Sequence, residues 1–375
     1  MATQCMVIPT YWSTPDTPSW QVFDHPTPLD EPGTLGRTLD SLEHSGFRDP
    51  VVIFPAPTDS RIEAKVKAIC QNRPLDIHVF SGTDLRSIRE RLQLQGFPAL
   101  FLETINMESY GGIRNMGLLY AALHGFDTII MIDDDECIAP DYGGSALAFM
   151  GDHQGAKTIL GKTGCVVDAN GDKFYDGQKA GTLPLWPKDE LFNNEVRTAL
   201  GEKNRLSETK IAFGGNMVLN SGLFLHVPFD PYGTRGEDDD YVLNARYYGQ
   251  PLFFDQGLLL LHLPPARTCN YWTRQRQDII HFRYLREKAR AFGFAPQSLG
   301  SFLEYFTQDD LEYKAVTASV KAALRFVDTN KAEFTEFLNN AIVAESPPAA
   351  QLRLRVNSFL RFMDAWQKVL PKLAK

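Results

Sequence analysis

The chain has 375 residues, 43% hydrophobic and 22% charged, so it can bury a large core, and its length suits one large domain plus a smaller one. Its net charge is −8, yet residues 266–375 hold 17 Lys and Arg against 11 Asp and Glu, which makes the tail basic and the body acidic. An acidic body argues against a general nucleic-acid binder, and the longest apolar stretch, around Leu258 to Leu261, is too short to cross a bilayer.

In chain order, Met6 to Thr10 reads as a first strand, Pro15 to Pro32 as a long Pro-rich loop and Leu35 to His44 as a helix. Strands at Val51 to Phe54 and Ile77 to Phe80 alternate with helices at Arg61 to Gln71 and Leu85 to Leu94. A helix from about Ile113 to His124 leads into the strand Ile129-Ile130-Met131-Ile132. Cys165 to Val167 and Phe174 to Tyr175 flank Asn170-Gly171 as an expected hairpin, and Tyr241 to Tyr248 reads as a helix. This alternation implies an α/β fold: a mixed, mostly parallel sheet flanked by helices. From Trp272 onward the pattern is helical, with apolar residues at helical spacing (Phe302, Tyr305, Phe306; Phe334, Phe337, Leu338; Phe359, Phe362, Met363). Pro264-Pro265 marks the boundary between a sheet domain, 1–265, and a helical extension, 266–375. The extension is expected to cover the acceptor side or to form a homodimer.

The first residues carry no basic segment followed by an apolar one. The five cysteines (Cys5, Cys70, Cys137, Cys165, Cys269) are odd in number, scattered and without a CxxC pair. Reduced thiols in a cytoplasmic protein are expected, with no disulfide framework and no zinc site.

Two apparent motifs fail on inspection. Asp168, Asn170 and Asp172 open like a calcium loop, but Lys173 stands where glycine is needed and Lys179 where glutamate is needed. Gly161-Lys162-Thr163 resembles the end of a P-loop, but Ala156 replaces the required glycine.

The acids Asp133, Asp134, Asp135 and Glu136 follow an apolar run that suits a strand buried on both faces. In open α/β sheets, ligands sit outside the carboxyl ends of such strands. Alternation along an extended chain would turn Asp133 and Asp135 to one side and Asp134 to the other, giving half of a hard-cation site. A solvated loop or a helix N-cap is the plainer alternative. Four further pieces accompany the cluster. Tyr110 to Gly117 (YGGIRNMG) precedes a helix, where glycines and the helix amino end favour an anion and Arg114 could fork onto a phosphate. Phe213 to Met217 (FGGNM) could line a pocket. Glu237-Asp238-Asp239-Asp240 opens a helix with more acid than the helix dipole needs. His262 ends the apolar run Leu258 to Leu261.

In this order, VIPTYW, GGIRNMG, a DxD, GGN, an ED pair and a late histidine resemble the GT-A-fold glycosyltransferases, especially the family 2-like group, over residues 1 to about 265. The resemblance implies a nucleotide-sugar half at about 1–140 and an acceptor half at about 141–265. It implies a UDP- or GDP-sugar donor, a hydroxyl acceptor and no nucleic acid. Asp133, Asp135 and His262 would hold Mn2+ or Mg2+, and Asp238, beside Glu237, would be the base of an inverting transfer. Thr10, Tyr11, Asp59, Gly112, Arg114, Asn115, Asp133, Asp134, Gly215 and Asn216 would contact the donor. No membrane helices and no QxxRW signature follow, so transfer to a single acceptor is expected. Retaining transfer of the mannosylglycerate synthase type is the alternative within the group. From other classes, a sugar nucleotidyltransferase or a catalytically silent binding protein remain, although the basic glycine-rich loop of the former is replaced by PTYWSTPD.

Overall fold

The protein is described by a computed structural model covering residues 3–15, 23, 26–57, 59–175, 186–265 and 270–374. The amino-terminal half contains β1 (Gln4–Thr10), β2 (Trp12–Ser13), β3 (Thr27–Pro28), α1 (Leu35–Ser45), β4 (Val51–Pro55), α2 (Ile62–Cys70), β5 (Ile77–Val79), α3 (Gly82–Leu94), α4 (Ala99–Leu102), α5 (Tyr110–His124), β6 (Thr128–Met131) and β7 (Glu136–Cys137). Next come α6 (Tyr142–Leu147), β8 (His153–Gln154), β9 (Lys157–Thr158), β10 (Gly161–Val167), α7 (Lys188–Gly201), β11 (Leu206–Glu208), β12 (Met217–Asn220), α8 (Ser221–Phe224), α9 (Glu237–Tyr247) and β13 (Phe253–His262). The remainder is helical: α10 (Tyr271–Ala291), α11 (Gly300–Thr307), α12 (Leu311–Leu324), α13 (Lys331–Val343) and α14 (Ala349–Leu373).

The main sheet runs β11-β13-β10-β12-β6-β1-β4-β5, with β7 also on β13. β1 pairs in parallel with β4 and β6, and β4 with β5. These strands are short apolar runs because helices cover the sheet; β4 and β6 are buried along their whole length. β12 joins β6 antiparallel, and β10 pairs antiparallel with β12 and parallel with β13. The sheet is therefore mixed beyond β6, and that mixed half carries the second acidic cluster.

The expected hairpin around Asn170-Gly171 is absent. Both edges of β10 are taken by β12 and β13, so Phe174-Tyr175 has no strand to join. A tight turn does form there. Asp168 Oδ1 accepts the backbone N–H of Asn170 and Asp172, and Gly171 takes a positive φ of 83°. Lys179, Cys269 and part of the Pro-rich stretch lie outside the described residues. The other four cysteines are free thiols.

The carboxy-terminal helices are packed against the sheet domain. Phe302, Phe306, Phe359, Phe362, Met363 and Trp366 belong to the same hydrophobic core as β1, β4 and β6. The ring of Phe362 meets Phe97 and Phe101 at 5.9 and 5.8 Å, and Trp366 Nε1 donates to the carbonyl of Phe224 at 3.0 Å. Lys288 on α10 is fully buried between Asp230 and Asp240. The apolar stripe on α14 is thus buried inside the chain. Among the described residues, no helix is long and apolar enough to cross a membrane.

Candidate active site

The first acidic cluster follows β6. Extended geometry ends at Met131, and Glu136 N–H donates to the carbonyl of Asp133 at 3.2 Å, closing a turn over Asp134 and Asp135. The side chains therefore diverge through a turn, not by strand alternation. Asp134 points to the amino-terminal strands, where Thr10 Oγ1 donates to its Oδ2 at 2.5 Å and Thr38 Oγ1 to its carbonyl at 2.8 Å. Glu136 folds back to accept the N–H of Asp133 at 2.7 Å. Asp133 instead faces α5, accepting from Arg114 Nη2 at 2.8 Å.

His262 reaches this cluster through strand register. β13 pairs with β7 so that His262 stands opposite Glu136, and this brings His262 Nε2 to 3.4 Å from Asp135 Oδ2. Burial pushes the carboxyls of Asp133, Asp134 and Glu136 above the usual range, and their mutual charge adds to it. Burial works against a charged His262, but the hydrogen bond and charge of Asp135, helped by Asp133, hold its imidazolium above the ordinary value.

The second cluster opens α9, after Gly236 in the left-handed region at φ 66°. That glycine is required twice over, because a Cβ would lie 2.7 Å from His281 Nε2. The four acids then part company. Asp238 accepts the N–H of Gly214 at 3.1 Å and of Asp239 at 2.9 Å. Asp239 is buried and holds Ala212 N–H at 3.1 Å, while Asp240 bonds Lys288. Glu237 Oε1 lies 3.4 Å from Arg114 Nε, and burial and the Asp238 charge push its carboxyl up to about 7.

Arg114, 2% exposed, thus joins the two clusters. Burial opposes its charge, but Asp133, Tyr11 and Glu237 raise its pKa above the ordinary value. Among the described residues, its buried Nη1 has no hydrogen-bond partner, and neither has the hydroxyl of Tyr11. The Tyr11 ring packs at 4.4 Å on Phe23 and 5.4 Å on Tyr110. The glycine-rich stretch lies inside α5, three residues earlier than expected, because Ser109 caps the helix by accepting Gly112 N–H. Gly112 packs on the carbonyl of Asn106, where a Cβ would be 2.6 Å away.

Several expected donor contacts have other partners. Asn115 is fully buried, its amide exchanging two 2.9 Å bonds with the backbone of Phe229. Asn216, also fully buried, bonds Tyr142, Cys165 and Leu258, so it braces β10 against β13. Asp59 is clasped by Arg61 through backbone and side chain, which lowers its carboxyl to about 2. Gly215 does border the site, for a Cβ there would stand 2.4 Å from both Glu136 oxygens. Sequence reasoning missed the bracing role of Glu136, and it missed Lys188, whose ammonium lies 2.8 Å from Asp278. No local pattern marks that pair, whose members stand 90 residues apart.

Among the described residues, no three His, Cys, Asp or Glu side chains gather into a complete metal site. The pair Asp135 and His262, beside Asp133, nevertheless offers oxygen and imidazole donors that suit Mn2+ or Mg2+.

No family model matches the chain, and neither does any curated protein. Among solved structures, the mannosyltransferase PcManGT from Pyrobaculum calidifontis, in complex with GDP-Man and Mn2+, matches 97% of this chain and 86% of its own, at 15% identity and a TM-score of 0.50. The fold is that of a GT-A-like glycosyltransferase. Looser likenesses are S. aureus TarS 1-349 (92% and 90% covered, 11% identity, TM-score 0.46) and a mycobacterial protein (78% and 76%, 14%, 0.42). In this GT-A-like frame the acids after β6 and those opening α9 come from opposite halves of the sheet and meet at Arg114.

Proposed function

We propose that the chain moves a sugar from a nucleoside diphosphate sugar to a hydroxyl acceptor, with Mn2+ or Mg2+ and with inversion at the sugar carbon. The observation that carries this reading is the meeting of two acidic clusters across one buried arginine, on a GT-A-like fold. Asp133, Asp135 and His262 would hold the cation. Ions of this kind are commonly bound by one or two carboxylates plus substrate phosphates, which accords with a protein donor set that is incomplete alone. When bound, the cation supplies Lewis-acid neutralisation of charge on the diphosphate.

The remaining chemistry belongs to side chains. As the acceptor oxygen bonds to the sugar carbon, its proton passes to Asp238. The bond from that carbon to the diphosphate oxygen breaks, and its electron pair leaves with the diphosphate. Two backbone N–H groups fix the Asp238 carboxylate in place. Glu237, poised near neutrality and tied to Arg114, would tune the charge around it. Arg114 Nη1 and the Tyr11 hydroxyl face this acid-rich region with no hydrogen-bond partner among the described residues, and both would turn to donor oxygens. The free described cysteines accord with a reducing, cytoplasmic setting.

The test is incubation with Mn2+ and a donor panel led by GDP-mannose, the donor held by the mannosyltransferase neighbour, and followed by UDP-sugars. Thermal stabilisation and release of nucleoside diphosphate are expected, with an inverted product. Retention would move the reading to the mannosylglycerate synthase type. Pyrophosphate release would indicate nucleotidyl transfer, and no stabilisation by any donor would indicate a silent binding protein.

A further inference from the structure

We propose that the acceptor hydroxyl is borne on a sugar ring, and that this ring stacks its C–H face on the exposed side chain of Tyr175. This rests on the glycosyl-transfer reading above and names the acceptor class for that site.

Tyr175 is an aromatic side chain left open beside the site, 44% exposed. Its ring packs at 5.5 Å on Phe192 and 6.3 Å on Phe213, both buried, so the open part is what that packing leaves uncovered. Among the described residues, no hydrogen bond holds its hydroxyl. The neighbouring Phe174 is 40% exposed, but the guanidinium of Arg197 lies 4.8 Å from its ring. Tyr175 is thus the uncommitted ring of the pair.

The backbone that carries this ring is fixed. Tyr175 N–H donates to Asn193 Oδ1 at 2.9 Å, and Asn193 Nδ2 donates to the Tyr175 carbonyl at 2.7 Å. A buried amide on α7 therefore satisfies both backbone groups, as a neighbouring strand would. A side chain anchored in this way loses little freedom when a ligand settles on it, which is the condition for a preorganised platform.

The platform is also registered against the proposed base. Phe213, on which the ring packs, is flanked by Ala212 and Gly214, whose N–H groups bond Asp239 and Asp238. Gly214 sits so close to the site that a Cβ there would stand 2.9 Å from Arg114 Nη2 and 3.3 Å from Glu237 Oε1. Desolvation, then the charges of Asp238 and Glu136, raise the Tyr175 hydroxyl above its ordinary range, so the residue lies within reach of both acidic clusters. That setting selects the ligand chemistry. An aromatic face is negative, and acids lie beside this one, so a second aromatic face or an anion is a poor match. The C–H bonds of a sugar ring are polarised positive by its oxygens, and its hydroxyls can donate to carboxylates. One pyranose can therefore cover the Tyr175 ring and present a hydroxyl to Asp238, which orients the nucleophile.

Two measurements test this. In the first, the full chain is mixed with the methyl glycosides of glucose, mannose and galactose, with glycerol and with p-cresol, each alone and with Mn2+ plus GDP or UDP, and saturation-transfer NMR reads contact. At least one glycoside is expected to receive saturation at its ring C–H protons. Tyr175→Ala and Tyr175→Leu should lose that transfer, whereas Tyr175→Phe and Tyr175→Trp should retain it, since a flat face and not apolar bulk makes the contact. Circular dichroism checks each fold, and the leucine variant decides if the alanine variant does not fold. In the second, the same compounds are compared as acceptors with the best donor. The bound glycoside should give the highest kcat/KM, and Tyr175→Ala should lower it about tenfold, chiefly through KM, because stacking holds ground state and transition state alike. Equal saturation in wild type and the leucine variant, no glycoside bound under any condition, or glycerol or p-cresol as the preferred acceptor would overturn the proposal. Failure of every donor with every acceptor would sink glycosyl transfer itself, while the NMR comparison would still decide whether the sugar platform exists.

Discussion

Arg114 Nη2 lies 2.8 Å from Asp133 Oδ1, and this one contact sets a buried guanidinium between a carboxylate at the end of β6 and another at the start of α9. Arg114→Ala would leave Asp133 and Glu237 buried without their cation. Loss of one member of a buried pair costs roughly 3–5 kcal/mol. A matching fall in the denaturation midpoint is expected, with partial recovery in Arg114→Lys, which restores charge but not the fork. Wild-type stability in the alanine variant would show that the bridge does not matter.

Asp135→Asn and Asp238→Asn should separate binding from chemistry. The first removes a carboxylate at the His262 end of the cluster and should abolish metal-dependent donor binding. The second keeps the shape and one of the two backbone bonds, since the amide oxygen can still accept Gly214 N–H while the amide nitrogen cannot accept Asp239 N–H, so donor binding should persist while turnover falls by a factor on the order of 10² to 10⁴. Donor calorimetry with Mn2+ beside single-turnover kinetics reads both, and full turnover by the Asp238 variant would remove its assignment as base.

Glu237 carries a pH signature with a definite sign. Its carboxyl rises from 4.5 to about 7 in the folded chain, so the folded state favours the proton. Its contribution is fully present below 4.5 and is lost as pH rises through about 7. Stability should therefore decline over this window by up to about 3 kcal/mol from this group, and Glu237→Gln should flatten that slope. Denaturation midpoints at a series of pH values would show it. An unchanged slope in the glutamine variant would place the raised carboxyl elsewhere.

Gly215→Ala tests the close approach of Glu136. The new Cβ would meet both carboxylate oxygens at 2.4 Å and displace Glu136 from Asp133 N–H. Overpacking of this kind costs roughly 1–3 kcal/mol. Donor affinity should fall with it, since the turn that presents Asp133 and Asp135 loses its brace.

Lys288→Ala addresses the join between the helical extension and the sheet domain. Lys288 is fully buried at 2.7 Å from both Asp230 and Asp240, so its removal strands two carboxylates and should cost roughly 3–5 kcal/mol. A single cooperative transition at a lower midpoint is expected, because Phe359, Phe362 and Trp366 share the core of the sheet.

Local chemistry made the sheet legible from the residues alone. Unbroken apolar runs such as Ile129 to Ile132 mark strands covered on both faces, and acids placed after them mark a strand end where ligands meet the sheet. The helical tail and the order of the motifs were equally readable, and so was the tight turn at Asn170-Gly171, though not its missing partner strand. Only tertiary structure decided which polar groups meet. Arg114 finds Asp133 19 positions away and Glu237 123 away, Lys188 finds Asp278 across 90, and His262 reaches Asp135 because β13 pairs with β7 in one particular register. Propensity and periodicity act over a few residues, whereas these pairings depend on sheet order and register, which are set by packing of the whole core. For the same reason Asn115 and Asn216, which read as donor contacts, became internal braces: their amides were claimed by backbone that folding brought to them.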